Sequence, residues 1–486
     1  MYVLITCSVL LILLIKYLVH HRNFYILSWK LPGPLALPLI GNSLAFFCNN
    51  EDIFQRAVNI ISNYPSPMRF WLGHKLTIIF SEPEQASKIL SSSNFSDKGE
   101  VYRFMKDFDG DGLISGSGPK WKNDRKLMAP LFGKKSVQVY FSVIVHHTNI
   151  LLEKLEPCTQ KGTCNVVKYL HRCTADFVNE TIIGEKTDAQ NGHFDDFLLA
   201  IDRVYDLVHA RMVKVWLQID WIFKMTHFYH QQTQAKNTIH GFLKNVVRIN
   251  EEKRITKTQL SGTILDNILN IKNQHPNFAL GDDLIHHLST LYSASEDTIT
   301  TISAFTLLLL GMYPDVQERV VDEIRCVVGD KHDPEIGDLS NLPYLDMCIK
   351  DVLRLFPIAP FLMRTTRENF QIDQFVIPKG CSVVVSIHNI HRSSKHWERS
   401  DDFYPEHFLP EAVKKRHVHA YLPFSAGPRG CVGKSYAYMA LKIMLILILK
   451  KYVIYAEGKV GDIELKTDIT VRPKGRQFPI KIDFRK

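Results

Sequence analysis

The sequence predicts a mainly α-helical fold with small β-sheets, built as one large domain behind an N-terminal apolar segment. Helical periodicity covers most of the 486 residues, whereas strand-like segments are short and scattered. No repeat, low-complexity run or long linker divides the chain, although its length exceeds that of a typical single domain. We therefore expect an anchor at 1–22, a proline-rich hinge at 23–44 and one domain at 45–486.

The N-terminal segment has the composition of a membrane-spanning signal anchor. Residues 1–19 are mostly apolar, which reaches the lower length limit for a spanning helix. A cleaved signal peptide begins with basic residues, but no Lys or Arg precedes Lys16, and further positive charges follow the apolar run. We therefore favour an uncleaved anchor over a cleaved signal. The positive-inside rule then predicts that the rest of the chain lies in the cytosol.

A proline-rich segment follows this anchor. Residues 32–42 contain three prolines and two glycines, a composition that interrupts both helices and strands. We expect a stiff, bent tether between the membrane and the globular domain.

The clearest element of the globular domain is a helix from Asp282 to Leu310. This stretch contains no Gly or Pro, begins with a good N-cap and stops at Gly311. At about 1.5 Å per residue it would be long enough to cross a whole domain. Further helices are predicted at 315–328, 344–356 and 434–452, strands at 76–80, 375–377, 382–387 and 470–471, and an irregular segment at 394–423.

The bulk composition excludes several classes of protein. A mean hydropathy of -0.07 argues against a polytopic membrane protein. The nine cysteines form no CxxC pair, which argues against structural zinc and thioredoxin-type chemistry. The net charge of +9 is explained by solubility or by a basic face for an acidic partner or anionic membrane. We expect no nucleic-acid partner.

One cysteine, Cys431, lies in a glycine-bracketed loop near the C-terminus. Residues 424–433 read FSAGPRGCVG, with Arg429 two positions before the cysteine. Glycines let the backbone approach a flat ligand, and amide N–H groups can turn toward a sulfur. A lone Cys thiolate is the axial ligand that favours O–O cleavage by haem iron. The loop predicts a haem-thiolate oxygenase, whereas Cys431 alone would be read as a buried thiol in a turn.

With this loop the chain resembles the cytochrome P-450 superfamily, whose haem loop follows the pattern FxxGxRxCxG. Supporting matches in the same order are the anchor and hinge, Trp121-xxx-Arg125, the long helix and the Asp351–Arg354 segment. Residues 112–122 are most similar to the clan that contains family four. The resemblance implies the cytochrome P-450 fold. It also implies a monooxygenase that inserts one atom of dioxygen into a lipophilic substrate, whether fatty-acid-like, hormone-like or xenobiotic.

The resemblance implies heme b, held non-covalently except for a bond between the Cys431 thiolate and iron. Phe424 would shield the sulfur, while Gly427 and Gly433 would shape the loop and give the haem clearance. Family-four proteins often carry a Glu that esterifies the haem, but this chain has Ala294 there, so we predict no covalent link. The haem propionates would be bound by Trp121, Arg125, Arg364 and Arg429. Outside this resemblance, Trp121 would be a packing residue beside a surface Arg125, and Arg364 a solvated strand residue.

The long helix carries the predicted catalytic pair, Asp297 and Thr298. Oxygen activation consumes protons, which a hydroxyl and a carboxylate linked to water can deliver. A Thr hydroxyl can also bond the carbonyl four residues back and loosen the helix. Two positions depart from the family pattern Ala-Gly-x-Asp/Glu-Thr-Thr, because Ser295 replaces Gly and Ile299 replaces the second Thr. The alternative is that the pair are ordinary polar residues of a core helix.

A second departure concerns the ionic triad that braces the family's haem loop. The usual Glu-xx-Arg is Asp351-Val352-Leu353-Arg354 here, and the second Arg is replaced by His407. The paired changes either compensate each other or mark a chain relaxed from catalytic demand.

The resemblance also implies partners and a compartment. No nicotinamide or flavin motif is present, so electrons would come from NADPH through NADPH–cytochrome P-450 reductase, with cytochrome b5 as an optional donor. The implied location is the endoplasmic reticulum membrane, crossed once, with the catalytic domain on the cytosolic face. Residues 215–223 would lie near the substrate channel and the bilayer, or form plain helix core. A basic face for the electron donor would comprise Lys122, Lys126, Lys134, Lys135, Lys414, Lys415, Arg416 and Lys434.

Two other functions stay open on the sequence alone. One is a haem-binding protein of the same fold with weak or no monooxygenase activity, which Ser295, Asp351 and His407 would suit. The other is a reductase-independent isomerase or dehydratase, against which Thr298 argues because such enzymes usually lack a proton-delivering Thr.

Overall fold

Helices make up most of the regular structure, as the sequence predicts. The computed structural model describes residues 2–37, 40–160, 162–256 and 262–486. Within these ranges the α-helices are α1 Tyr2–His20, α2 Arg22–Lys30, α3 Ile53–Ser62, α4 Pro83–Ser91, α5 Lys106–Asp109, α6 Gly118–Met128, α7 Lys134–Val137, α8 Phe141–Leu155, α9 Val167–Val178, α10 Asp195–Val213, α11 Asp220–Lys224, α12 His227–Ile255, α13 Ile264–Gln274, α14 Asp283–Met312, α15 Pro314–Val328, α16 Pro343–Leu355, α17 Ile387–His391, α18 Pro410–Lys415 and α19 Lys434–Lys451.

The strands of the described residues form four small sheets. A five-stranded sheet has the order β1-β2-β8-β5-β3, in which only the β2–β8 pair is parallel. A three-stranded sheet has the order β4-β12-β9, and β6–β7 and β10–β11 are two-stranded. The strands are β1 Met68–Leu72, β2 Lys75–Phe80, β3 Asp97–Lys98, β4 Cys164–Asn165, β5 Phe361–Thr365, β6 Phe370–Ile372, β7 Phe375–Ile377, β8 Ser382–Ser386, β9 Tyr452–Tyr455, β10 Leu465–Thr467, β11 Val471–Pro473 and β12 Pro479–Phe484.

Helix α14 runs through the middle of the helical core. Most of its side chains are buried, and it packs against α9, α16 and α19. Phe305 of α14 stacks on Phe356 at the end of α16, with ring centroids 4.0 Å apart. The four long helices that the sequence predicts are confirmed to within two residues at each end. The irregular segment at 394–423 is also found, apart from the short helix α18 and isolated 3₁₀ turns.

The N-terminal region differs in detail from the predicted hinge. Helix α2 occupies residues 22–30, and its Leu27 is buried beside Trp71 of β1. The Trp71 indole N–H donates to the Ser28 hydroxyl at 2.9 Å, which fixes α2 to the sheet. The irregular tether therefore starts at Leu31 rather than at residue 23, and Pro38 and Leu39 of the predicted hinge lie outside the described residues.

No single helix among the described residues is both long and apolar enough to cross a membrane. Helices α14 and α15 pass that length and composition test only as a pair, bent by 113°.

Candidate active site

The cysteine loop connects a 3₁₀ turn at Gly427–Arg429 to the first turn of α19. The Cys431 amide donates to the Phe424 carbonyl at 2.9 Å and closes the loop. Gly427 has φ +65°, and a Cβ atom there would lie 2.0 Å from the Leu90 carbonyl oxygen. Any other residue at this position would push the loop away from α4, so the glycine sets the depth at which the cysteine sits.

The Cys431 sulfur faces the N-terminus of α19. The backbone N–H groups of Gly433 and Lys434 hydrogen-bond the sulfur, which favours a thiolate, as does the positive end of the helix dipole. Desolvation by the surrounding protein has the larger effect and raises the pKa of the thiol, although part of the side chain is exposed. The Phe424 ring lies 5.4 Å from the Tyr438 ring and packs against the main core.

Four cations gather beside this loop: Lys98, Arg125, Arg364 and Arg429. Within the described part of the chain none of them forms an ion pair with a carboxylate. Lys98 and Arg364 stand directly opposite each other in the β3–β5 ladder, an arrangement that is unfavourable for like charges. Desolvation, followed by repulsion from Arg364, lowers the pKa of Lys98 well below its usual value, and the same two causes lower the pKa of Arg429 to about 9.

Backbone carbonyl groups accept some of the hydrogen bonds that these cations can donate, but they bring no negative charge. Arg429 donates to the carbonyls of Ser96 at 2.8 Å and Gly116 at 2.5 Å. Arg125 donates to the Gly430 carbonyl at 2.5 Å. Arg364 is 2% exposed, which excludes the solvated strand arginine, and it donates to the Met363 carbonyl at 2.9 Å. Arg364 is buried and Lys98, Arg125 and Arg429 are half-buried, and such cations without counter-charges are costly, so the cluster is suited to binding an anionic group.

Trp121 supports this cluster through its ring rather than through its N–H. The indole N–H donates to the Leu113 carbonyl at 3.0 Å, so it is not directed at a ligand. The guanidinium carbon of Arg429 lies 3.3 Å from the Trp121 ring centroid, and that of Arg125 lies 5.7 Å from it. The ring therefore holds Arg429 by a cation–π contact.

These residues fit haem b. Its iron would require a cysteine sulfur with a clear approach, and its two propionates would require two or more unpaired cations. The cysteine loop provides the sulfur, and the cluster of four cations provides the unpaired positive charges. The sequence does not identify Lys98 as part of the site, because a lone Lys carries no motif and its strand β3 is only two residues long.

Thr298 lies on a half-buried face of α14. Ala294 and Ser295 share this face, while the residues between them and Thr298 turn into the protein. The Thr298 hydroxyl donates to the Ala294 carbonyl at 2.7 Å, which is the contact that the sequence analysis expects. The helix is nevertheless continuous from Asp283 to Met312, so no loosening accompanies this bond.

Asp297 points away from Thr298 toward the C-terminal hairpin β10–β11. Its two carboxylate oxygens accept from the Thr470 hydroxyl at 2.9 Å and from Arg472 Nη2 at 2.5 Å. Arg472 also lies 3.3 Å from Asp468 and 3.7 Å from Asp202 of α10. Burial raises the pKa of Asp297 to about 6, and Arg472 opposes this rise.

The adjacent carboxylate belongs to a separate buried pair. Glu296 Oε2 lies 3.1 Å from His171 Nε2 of α9. Burial disfavours the charged imidazole, but Glu296 more than compensates and raises the pKa of His171 to about 9.

The sequence does not identify the two partners of Asp297, Thr470 and Arg472. Their spacing of two on an extended strand nevertheless puts both side chains on one face.

The altered triad is closed in the structure. Arg354 Nε and His407 Nδ1 lie 2.6 and 2.9 Å from Asp351 Oδ1, and the Tyr404 amide donates to the other oxygen at 2.7 Å. His407 Nε2 faces the Glu398 carbonyl oxygen. Both ring nitrogens thus face oxygen atoms. His407 takes the place of the second arginine as a partner of Asp351.

Comparisons with known proteins agree with this geometry. The sequence profile of the family described as Cytochrome P450 matches residues 31–480. Cytochrome P450 4c3 of Drosophila melanogaster is 30% identical, with 92% of this chain and 88% of the relative aligned. Cytochrome P450 4V2 of Mus musculus is 28% identical over 90% of this chain and 86% of its own length. Cytochrome P450 4g15 of Drosophila melanogaster is 26% identical, with 93% and 91% covered.

Proposed function

The chain belongs to the cytochrome P450 family, and we propose that Cys431 is the haem-iron ligand of an NADPH-dependent monooxygenase acting on lipophilic substrates. Members of this family are haem-thiolate enzymes, and the chain is a P450 monooxygenase that resembles family four. The assignment of Cys431 is carried by one juxtaposition. A sulfur at the start of α19 stands beside four cations that have no carboxylate partner among the described residues.

Each part of the site has a distinct task in this proposal. Cys431 would hold the iron, and Lys98, Arg125, Arg364 and Arg429 would hold the propionates. When bound, a thiolate-ligated haem supplies the activation of dioxygen for insertion of one atom into the substrate. The apolar Phe424 ring, which packs against the main core beside the loop, would shield one side of the sulfur.

The protons would be handled by two residues of α14 in different ways. Thr298 can release its bond to the Ala294 carbonyl and pass a proton to or from water on the half-buried face. Asp297 is held by Thr470 and Arg472, so it exchanges protons only when one of these contacts opens. With a pKa of about 6, its carboxyl group can both hold and give up a proton near neutral pH.

The electron donor would dock on the basic face predicted from the sequence. All its lysines are exposed, and within the described ranges none forms an ion pair. Arg416 is the exception, because it is half-buried and bonded to the His407 carbonyl at 3.2 Å. An unpaired basic surface suits an acidic donor such as NADPH–cytochrome P-450 reductase or cytochrome b5.

Attachment to the endoplasmic reticulum membrane would use the N-terminal segment and the region around α11. Trp216 and Trp221 are 50% and 66% exposed, and Met225 is 79% exposed. Leu217 and Phe223 of the same region are buried, so part of it is core. Exposed Trp side chains are favourable at a bilayer interface, where the ring is buried and the N–H stays hydrated.

The proposal is tested by turnover of the full chain with reductase, NADPH and a panel of lipophilic compounds. We expect an oxygenated product whose formation requires both NADPH and reductase. Cys431→Ala should abolish product formation, whereas Cys326→Ala, which removes an exposed thiol on α15, should retain it. Product formed without NADPH or reductase would contradict the monooxygenase assignment. Product formed by Cys431→Ala would contradict the ligand assignment.

A further inference from the structure

A cavity of about 270 Å³ lies between the five-stranded sheet, the turn after β3, the end of α10 and the tip of the β10–β11 hairpin. It is close to the lower end of the range of about 300–1,000 Å³ that is usual for small-molecule sites. Asp468 of the cavity wall and Asp297 of α14 both bind Arg472, so one side chain connects the cavity wall to α14. Its apolar lining includes Phe54, Phe70, Val101, Met105, Phe361 and Met363.

The cavity wall provides no cation for an anionic ligand. Tyr102, His209 and Asp468 are the ionisable residues among those that line it, and none of the described lining residues is Lys or Arg. The Asp468 carboxylate is already bound, by Arg476 at 2.9 Å and by the Ile469 amide at 2.8 Å. A ligand carboxylate in this cavity would lose its hydration without gaining a counter-ion, because the nearby guanidinium groups of Arg472 and Arg476 are already paired with carboxylates.

His209 is a polar residue of this wall whose side chain is available to a ligand. It projects from α10 and is 9% exposed, and its imidazole forms no hydrogen bond with any residue in the described ranges. Desolvation lowers the pKa of His209 to about 4, so its imidazole is neutral at physiological pH. A neutral imidazole offers one donor and one acceptor, and leaving both unused in an apolar wall is unfavourable.

We infer that the cavity binds a neutral lipophilic molecule carrying one hydroxyl or carbonyl group, which hydrogen-bonds His209, in preference to a fatty-acid anion. A hydroxyl satisfies either tautomer of the imidazole, and a carbonyl satisfies the one that donates. The apolar remainder of the ligand covers the Phe and Met side chains of the wall. The inference rests on the proposed function only in treating the ligand of this cavity as the substrate.

The experiment compares ligands of one chain length that differ in charge. Equilibrium dialysis of the holoprotein at pH 7.4 measures binding of 1-dodecanol, methyl dodecanoate and dodecanoate. We expect the alcohol and the ester to bind at least about tenfold more tightly than the anion, because only the anion has an unpaired charge to bury. Equal or tighter binding of dodecanoate would overturn the inference.

Variants on α10 separate the hydrogen bond from the shape of the cavity. His209→Phe should weaken binding of the alcohol by about five- to tenfold, while His209→Gln, whose amide can donate and accept, should largely restore it. Met212→Leu changes the same wall without a polar group and serves as the control. Alcohol binding that is unchanged in His209→Phe would exclude His209 as the polar contact. Dialysis measures binding without enzymatic turnover. A failure of this inference can therefore be distinguished from a failure of the monooxygenase assignment.

Discussion

At the scale of single residues, the candidate active site is marked by positive charges that form no ion pair within the described residues. The cations Lys98, Arg125, Arg364 and Arg429 converge beside Cys431, and burial adds to their mutual repulsion. A protein retains such a cluster at a cost in stability, which an anionic ligand would offset. Asp297 has the opposite character, because Arg472 and Thr470 satisfy both of its oxygens.

Lys98→Met should separate haem binding from protein stability. Removing a charge that faces Arg364 relieves repulsion in the haem-free protein, so its unfolding midpoint should stay equal or rise. Loss of a charged contact to a propionate should weaken haem binding by about 1.5–3 kcal/mol. Haem transfer to an excess of a haem-scavenging apoprotein measures the second effect. Lys126→Met, in an exposed lysine of α6, is the control, and equal haem loss from both variants would remove Lys98 from the propionate site.

Arg472→Met should change the pH dependence of oxygenation. In the native protein burial holds the pKa of Asp297 near 6 and Arg472 opposes a further rise, so Asp297 is mostly ionised above pH 6 and protonated below it. Without the guanidinium the carboxyl should stay protonated to a pH about 1–3 units higher. The acid limb of the pH profile, measured as product formed per NADPH consumed, should shift to higher pH by that amount. Thr470→Val, which removes the hydroxyl bonded to Asp297 and Arg472 but leaves the guanidinium charge in place, should move it less. An unchanged profile in Arg472→Met would show that Asp297 is not in the proton route.

At the scale of secondary-structure elements, α16 is joined by one ionic triad to the segment that precedes the cysteine loop. Asp351 and Arg354 lie on α16, and His407 lies in the 3₁₀ turn at Pro405–Phe408. Arg354 also donates to the carbonyls of Ser400 at 2.5 Å and Asp402 at 2.7 Å, so it orders the intervening chain. The shorter Asp351 and His407 together close the same contact between α16 and this segment, which favours compensation over decay.

His407→Leu should therefore be strongly destabilising. It leaves the Asp351 carboxylate one partner short in a fully buried position, which we expect to cost about 3–5 kcal/mol of unfolding free energy. His388→Leu is the matched control, because His388 is also buried but its Nδ1 has no partner within the described residues. Chemical denaturation monitored by circular dichroism measures both. Similar losses in the two variants would mean that the triad contributes nothing beyond packing.

The elements differ in how well the sequence predicts them, for physical reasons. Helices such as α14 are bounded by local signals, namely an acidic N-cap and a terminal Gly-x-x-Pro, so their ends were predicted within two residues. Strand β5 is not among the strands that the sequence predicts, because its three consecutive apolar residues and buried Arg364 do not follow the alternation of a half-buried strand. Strand β3 is two residues long and exists only through pairing with β5, far along the chain.

The candidate site shows the same difference between local sequence signals and contacts that only the tertiary structure provides. Cys431, Gly427 and Arg429 are close in sequence and could be grouped by their spacing alone. The pairing of Asp297 with Arg472 joins residues 175 positions apart, and nothing local in either segment indicates the other. The closed triad likewise depends on His407 lying within 2.9 Å of Asp351, which only the tertiary structure provides.

At the scale of the whole molecule, some surface lysines are paired with a carboxylate and others form no ion pair within the described ranges. Many surface lysines are neutralised locally, as Lys331 is by Glu335 at 2.9 Å. The lysines of the predicted basic face form no such ion pairs within the described ranges, so part of the net charge of +9 stays available to an acidic partner. Interaction across such a face should weaken as ionic strength rises.

Lys134→Glu combined with Lys135→Glu should raise the concentration of reductase needed for half-maximal activity. Reversing two unpaired charges of an electrostatic docking face slows association and weakens binding, by about three- to tenfold at low salt. Lys253→Glu, an exposed position on α12, controls for charge reversal elsewhere. Titration of reductase at two salt concentrations measures the effect. Identical titrations for the double variant and wild type would place the donor on another surface.

The absorption spectrum of the reduced protein with carbon monoxide shows whether Cys431 provides the thiolate of a haem site. We expect a red-shifted Soret band of the thiolate type in the wild-type protein and in Cys326→Ala. That band should be lost in Cys431→Ala, even where haem stays bound through the cations around Arg429. A thiolate-type band that persists in Cys431→Ala, or its absence from haem-loaded wild-type protein, would exclude Cys431 as the iron ligand.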